Sequence, residues 1–470
     1  MTRIVLGPFN RVEGDLELSL DLEGGRVQAA YVNSPLFRGF EQILVGRAPL
    51  DALAIVPRIC GICSVAQSAA AASALAEAMG LAPPPNGQLA RHLIQATENL
   101  ADHLTHFYLF FMPDFARPAY ASRPWHAAAA QRFTALRGTA AAEVLPARAN
   151  FLKLMGFLAG RWPHTLAIQP GGSTRAITPG ERVRLLALLR EFRSFLEKRL
   201  FGDTLPAVAA LASQDQLLAW AAGRSGDFPA FLGIAGDLGL DRIGRASDAF
   251  LSHGAYDLFP SGTWQGGATA PFDSLAIAED TGRAWLADAP PRHPAQGETI
   301  VDADKAAAYT WCKAPRYAGQ AFEVGALARQ VIAGHPLLGD MVTRNGGSVM
   351  ARVVARLLEL ALVVPAMEGW VQALQPGEAF CAHGELPDEA SGSGLVEAAR
   401  GSLGHWLSIR RGRIARYQII APTTWNFSPR DAAGTPGALE QALVGLPEAE
   451  PLLVQHVVRS FDPCMVCTVH

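Results

Sequence analysis

With 470 residues, 50% of them hydrophobic and only 18% charged, the chain can bury a large core or hide a broad apolar face under a partner. A net charge of −3 leaves no electrostatic case for nucleic acid or an anionic membrane. Six cysteines exclude a disulfide scaffold, and no apolar run approaches the roughly 20 residues a spanning helix needs.

Residues 1–14 lack the apolar core of a signal peptide, which predicts a cytoplasmic protein unless a partner carries an export signal. Residues 4–33 read as strands: Leu16, Leu18 and Leu20 alternate with polar residues, and Glu23-Gly24-Gly25 marks a turn. The loop from Gly7 to Gly14 carries an acid, Glu13, near its tip, and Leu36 to Glu41 leads into a short helix. From Cys63 an alanine-rich run predicts a helix to Met79, stopped by Gly80. A long helix follows over about 89–112, with Asp102 and His106 one turn apart. Residues 113–175 read as loop-rich. An amphipathic helix is expected over 181–200, behind Thr178 as N-cap.

Residues 225–310 hold many turns and little periodicity, and are expected as a surface excursion. Helices return over 321–334 and 347–372. A hairpin over 406–409 and 414–420 turns at Arg411-Gly412, and Pro422 to Asn426 is expected as an ordered loop. The pattern predicts a mainly α chain with small β-hairpins and sheets (α+β). Length alone would allow about three domains. Because both ends carry the same chemistry, 1–470 is expected to form one unit.

That chemistry is sulfur. Cys60 and Cys63 form one Cys-x-x-Cys pair; Cys464 and Cys467 form another, three residues before the final His470. Four thiolates can make a structural zinc site, the commonest use of such pairs. Zinc ribbons set their pairs some 15–20 residues apart in small folds, whereas here most of the chain separates them. The spacing favours a redox or catalytic metal; a soft sulfur site suits nickel, iron or copper as well as zinc. Arg38, Arg58 and Arg400 could hold anionic ligands, and Glu13, Asp102 and Asp462 could move protons. Cys312 and Cys381 have no ligand partner in spacing and read as inert buried thiols. His103, His126, His164 and His405 read as satisfied core or loop histidines.

Further motifs accompany the cysteines: Arg11-Val12-Glu13-Gly14, Phe37-Arg38-Gly39-Phe40-Glu41, Asp102-His103-x-x-His106-Phe107-Tyr108, Lys313-Ala314-Pro315-Arg316-Tyr317, Ala399-Arg400-Gly401 with His405-Trp406, Pro422-Thr423-Thr424-Trp425-Asn426 and Asp462-Pro463-Cys464. In this order, and over essentially the whole chain, they resemble the motifs of [NiFe]-hydrogenase large subunits. The resemblance implies a helical bundle core around a buried nickel and an iron bearing carbon monoxide and cyanide. Cys60 and Cys464 would be terminal ligands of nickel, and Cys63 and Cys467 would bridge to iron. H2 would be split heterolytically, with the Cys464 sulfur as first proton acceptor and Glu13 passing the proton outward. Arg400, Asp102 and Asp462 would form a canopy, and Arg400 with Pro422 and Thr423 would hydrogen-bond the cyanides. Glu41, the Ile419 carbonyl and His470 would hold a hard cation, usually magnesium. Ala399 stands where many relatives have proline.

The family implies a small subunit with the iron–sulfur clusters, since this chain has no further cysteine clusters. Gln67 lies four positions after Cys63, where respiratory catalysts usually have histidine, and Asp15 replaces another common histidine. Gln67 donates a hydrogen bond but cannot titrate. This pattern, with the ending at His470, resembles the H2-sensing regulatory subgroup, implying slow turnover, a dimer of heterodimers and a histidine kinase partner. The alternatives are a respiratory uptake hydrogenase and, from another class, a zinc-stapled scaffold.

Overall fold

The computed structural model describes residues 2–448, 450–468 and 470. The chain opens with an antiparallel sheet of β1 (Thr2–Leu6), β2 (Glu17–Glu23) and β3 (Arg26–Asn33). Leu18, Leu20 and Leu22 point inward from β2 and are buried, as alternation requires. The β2–β3 turn has positive φ at both Gly24 (60°) and Gly25 (75°), which glycine adopts without strain.

Helix α1 (Ser64–Met79) starts immediately after Cys63 and ends on Gly80 at φ 64°. Its alanines allow a close approach to strand β4 (Ala390–Ala398), whose glycines complete the fit. A Cβ on Gly394 would lie 1.8 Å from the Ala70 carbonyl oxygen, and one on Gly392 2.1 Å from that of Ala74. Neither strand position accepts a side chain, so the helix bearing Cys63 is seated directly on the backbone of the sheet. That sheet continues antiparallel into β5 (Gly401–Arg410) and β6 (Arg413–Ile420), the expected hairpin at Arg411-Gly412.

Helix α2 (Pro85–Thr105) begins earlier than its periodicity suggests, because Pro85 fits the first helical turn. It widens into a π-helical turn over His106–Phe111 and tightens into a 3-10 turn over Met112–Ala116. The loop-rich expectation for 113–175 is corrected: helices cover His126–Phe133, Thr139–Phe151 and Lys153–Ala159. Alanine runs there outweigh the neighbouring Pro, Trp and Gly. Helix α3 (Pro179–Phe195) carries the Thr178–Glu181 capping box and extends as a π-helical turn to Phe201.

Within 225–310, helix Asp227–Leu238 buries Phe228, Phe231 and Leu232, and strand Ala249–Ser252 is buried throughout. The exposed residues of this region lie mainly beyond it. Helices Ala326–Ile332, Pro336–Asn345 and α4 (Val349–Ala373) follow. The ordered loop at 422–426 is instead one helical turn, Pro422–Asn426, entered at Pro422. Helix α5 (Pro451–Ser460) leads to the last turn, Met465–Thr468. One hydrophobic cluster runs from Leu16 to Cys467, and a smaller one gathers around Trp406, Ile420 and Trp425. Among the described residues no helix is long and apolar enough to cross a membrane.

Candidate metal centre

The two Cys-x-x-Cys pairs meet. Cys60 Sγ lies 3.4 Å from Cys464 Sγ, and Cys63 Sγ lies 3.1 Å from Cys467 Sγ. Cys464 and Cys467 sulfurs are also 3.1 Å apart, and all four fall within 4.8 Å of one another in the interior. Among the described residues they are the only group with metal-ligand geometry.

Local structure explains how chain ends so distant in sequence converge. Glu13 and Cys464 form a short parallel bridge, in which Met465 N donates to the Glu13 carbonyl at 2.7 Å. Gly14 sits at φ 84° against the tail, where a Cβ would lie 2.9 Å from Val466 Cγ1. Arg38 donates to the Ile59 carbonyl at 2.5 Å and also to the Val466 carbonyl, so one guanidinium ties down the residue before each of Cys60 and Cys467. Arg38 is thus a backbone clamp, and Arg58 is exposed. Thr423 Oγ1 accepts from Cys464 N at 3.0 Å, seating the tail on the Pro422 turn.

Glu98 was not singled out from sequence. Its buried carboxylate accepts from Val65 N (2.9 Å), Ala66 N (3.0 Å), Ser64 Oγ (3.3 Å) and Trp162 Nε1 (2.8 Å). It caps from α2 the first turn of α1, directly after Cys63. Its position one helical turn before Asp102, on the same inward face, is the signal that was available.

Arg400 lies over the sulfurs with its acids. Nε donates to the Asp462 carbonyl at 2.9 Å, and Nη2 donates to Asp102 Oδ1 (3.2 Å) and Asp462 Oδ1 (3.1 Å). Nη1 pairs with Asp102 Oδ2 at 2.9 Å without hydrogen-bond geometry, and Asp462 Oδ2 has no hydrogen bond either. Burial raises Asp102 to about 7, helped by the Asp462 charge and opposed by Arg400. For Asp462 burial pushes upward, but Arg400, His106 and Arg356 together hold it below the usual carboxylate range. Half-buried Glu13 is raised by burial and by Cys60, against Arg400 and Arg38.

The histidines separate by partner. Burial lowers His106 to about 3, so its Nε2–H donates to the Arg459 carbonyl at 2.6 Å. His103 meets Glu359 at 3.3 Å, and His164 Nδ1 meets the Pro57 carbonyl at 3.0 Å. His103 Nδ1 and His126 Nε2 are buried without a partner, so the satisfied reading fails for those two nitrogens. His405 does more than fill the core. Burial lowers it to about 3, its Nε2 sits 2.8 Å from Gln67 Oε1 and its Nδ1 2.8 Å from Tyr417 Oη. A neutral ring facing a carbonyl oxygen must donate from Nε2, so Tyr417 donates to Nδ1. The Gln67 amide N–H then points toward Cys467 Sγ, 4.0 Å away.

Glu41, Ile419 and His470 also come together. Glu41 Oε1 accepts from Ile419 N at 2.8 Å and lies 3.3 Å from His470 Nε2. Lys313 Nζ sits at 2.9 Å from both Glu41 and Glu279 and 3.0 Å from Gln418 Oε1. Thr299 donates to the other Glu41 oxygen. Although burial opposes it, Lys313 and His470 hold Glu41 well below the usual range. Lys313, named from sequence only within a motif and given no role there, supplies the positive charge at this cluster. Cys312 is buried and hydrogen-bonded to the Lys313 carbonyl; Cys381 is hydrogen-bonded to the Ala382 carbonyl but only partly buried, so the buried reading is corrected for it, and burial raises both thiols.

Four buried sulfurs in mutual contact cannot all ionise without cations among them. Hydrogen bonding within the cluster, together with burial, drives Cys63 and Cys467 well above the usual thiol range while Cys60 is drawn well below it. The soft donor set, the unbonded polar atoms of the Arg400 canopy and the Gln67 N–H fit a nickel–iron group better than a closed zinc staple.

Comparison with known proteins agrees. The family model described as nickel-dependent hydrogenase matches residues 38–143 and 139–470. The periplasmic [NiFeSe] hydrogenase large subunit of Desulfomicrobium baculatum is 32% identical, covering 100% of this chain and 95% of the relative. The uptake hydrogenase large subunit of Afipia carboxidovorans is 28% identical, covering 100% and 95%. The solved Ni-Fe-Se hydrogenase of D. vulgaris Hildenborough superposes with a TM-score of 0.86 at 32% identity, covering 100% of both chains.

Proposed function

The chain belongs to the nickel-dependent hydrogenase family as a large subunit, and from that premise we propose that it cleaves H2 for uptake, at a nickel–iron centre held by Cys60, Cys63, Cys464 and Cys467. The observation that carries the proposal is the meeting of four buried sulfurs from both chain ends within 4.8 Å. When bound, the metal pair supplies the polarisation that splits H2 heterolytically. The protein supplies the rest. Cys464 is the first proton acceptor. Glu13, bridged to Cys464 through the backbone and raised by burial, takes the proton onward. Arg400, fixed by Asp102 and Asp462, keeps a positive charge over the sulfurs and, with the Pro422–Thr423 turn, would offer hydrogen bonds to ligands carried by the iron.

Membership rules out the zinc scaffold. The uptake reading leads because relatives named as uptake and periplasmic hydrogenases match over the full chain. The H2 sensor is kept as the second reading on one observation: Gln67, an uncharged donor, faces Cys467. With it go the histidine kinase and the dimer of heterodimers. Electrons leave through a small subunit carrying iron–sulfur clusters in either case. The compartment follows that partner, and the periplasmic name of one relative stands against the cytoplasmic expectation. Magnesium at Glu41, Ile419 and His470 rests on the family resemblance, and has to share the site with the Lys313 ammonium.

The test is D2 exchange with water and H2-dependent dye reduction by the purified heterodimer. Exchange with fast dye reduction and H2-supported growth establishes the uptake enzyme. Exchange with slow reduction and loss of H2-dependent transcription on deletion moves the reading to the sensor. No exchange from a nickel-loaded complex refutes both.

A further inference from the structure

A second concentration of charge has no part in the sulfur chemistry. Asp114, in the 3-10 turn after α2, is fully buried; it accepts from the guanidinium groups of Arg11 and Arg459 (2.5 Å) and forms an ion pair with a third, Arg117, at 2.9 Å. Arg459 is 1% exposed; its Nη2 donates to the carbonyl and side-chain oxygens of Asn10 at 2.9 and 2.8 Å, its Nη1 donates also to Gln455 Oε1 at 3.1 Å, and its Nε has no acceptor. No other carboxylate among the described residues pairs with any of the three arginines. Nearby His456 adds no charge, because burial lowers it to about 4. Three cations therefore share one anion.

A cavity of about 270 Å3 opens over this cluster, lined by Arg117 and Arg459, by the Asn10 and Gln455 side chains and by the turn at residues 7–9. A partly buried excess of guanidinium charge is costly unless an anion joins it, and a planar fork matches oxyanions best. We infer that this cavity binds a small oxyanion of the phosphate or carboxylate class, gripped by the Arg117 guanidinium and the unpartnered Nε–H of Arg459 and flanked by Asn10 and Gln455. The volume holds such an ion with several waters at about 30 Å3 each. Asn10 and Arg11 begin the loop that carries Glu13, so the bound ion braces that loop.

The purified heterodimer is titrated calorimetrically with inorganic phosphate, and in a second arm with acetate, at constant ionic strength set by chloride. One saturable site is expected for at least one of the two ions. Arg117→Gln weakens it about tenfold or more, Arg117→Lys by less, and nickel content is unchanged in both. Amide exchange over residues 8–14 slows when the ion is bound. Saturable heat with neither ion, or equal affinity in Arg117→Gln, overturns the site. None of these readings involves H2, so the result stands apart from the hydrogenase proposal.

Discussion

Two buried charge clusters in this chain are built on opposite rules. Around Arg329 the guanidinium and both of its carboxylates are fully engaged: its nitrogens reach Glu359 at 2.9–3.2 Å, Glu397 at 2.6 Å and the Ala398 carbonyl at 3.0 Å. Glu397 in turn accepts from Ser402 Oγ at 2.5 Å and His253 N at 2.9 Å. Around Arg400 the geometry is as tightly buried, but Arg400 Nη1, Asp102 Oδ2 and Asp462 Oδ2 form no hydrogen bond. A saturated network fixes strands and helices relative to one another. An unsaturated one facing four sulfurs keeps donors and acceptors for a group the polypeptide does not supply. The difference separates scaffold from site without reference to either sequence motif.

The largest expected effect is at the sulfurs. Cys467→Ala removes one member of each 3.1 Å contact and should strip essentially all nickel and iron from a heterodimer of native circular dichroism. Full metal retention would break the contrast. Next, Glu13→Gln keeps both metals while D2 exchange falls about 10²–10⁴-fold, the usual worth of a proton-transfer group; an unchanged rate removes Glu13 from the path. Arg329→Met belongs to the other cluster. Leaving Glu359 and Glu397 uncompensated should cost about 3–5 kcal/mol in urea denaturation, with the infrared spectrum of the metal centre in the folded fraction unmoved. A shifted spectrum would show that the saturated cluster also tunes the site.

The last effect is a pH slope, small over any one pH unit. Burial raises Asp102 to about 7 and Glu98 to about 8, so the folded chain keeps protons that the unfolded chain has released above about pH 4. Between about pH 4 and these values stability should fall by up to about 1.4 kcal/mol per pH unit for each group, levelling off above pH 7 for Asp102 and above pH 8 for Glu98. Glu359, held at about 2 by Arg329 and His103 against the effect of burial, is ionised throughout and contributes no slope. Denaturation midpoints between pH 5 and 8 test this, and Asp102→Asn should flatten the curve where Glu359→Gln does not.

The legible parts of this molecule were those with a local signature. The cysteine pairs announce sulfur chemistry by spacing, the alanine run and Gly80 bound α1, and Thr178 with Glu181 starts α3. The motifs carried the family. Gln67, Asp15 and the ending at His470 point to the sensor subgroup, and the named relatives outweigh them. What stayed hidden depends on neighbours distant in sequence. Arg38 reaches Ile59, 21 residues away, and Val466, 428 away. Glu98 caps a helix it does not belong to, and Lys313 meets Glu41 across 272 residues. The helices between 126 and 159 are obscured because the Pro, Trp and Gly clusters at Arg123–His126 and Gln169–Gly172, which flank them, read locally as loop.

X-ray absorption at the nickel and iron edges of the purified heterodimer tests the central claim most directly. The account predicts stoichiometric nickel and iron, sulfur in the first shell of both, and loss of nickel–sulfur scattering in Cys60→Ser or Cys464→Ser. Zinc in place of nickel and iron, or nickel bound by nitrogen and oxygen alone, would contradict it.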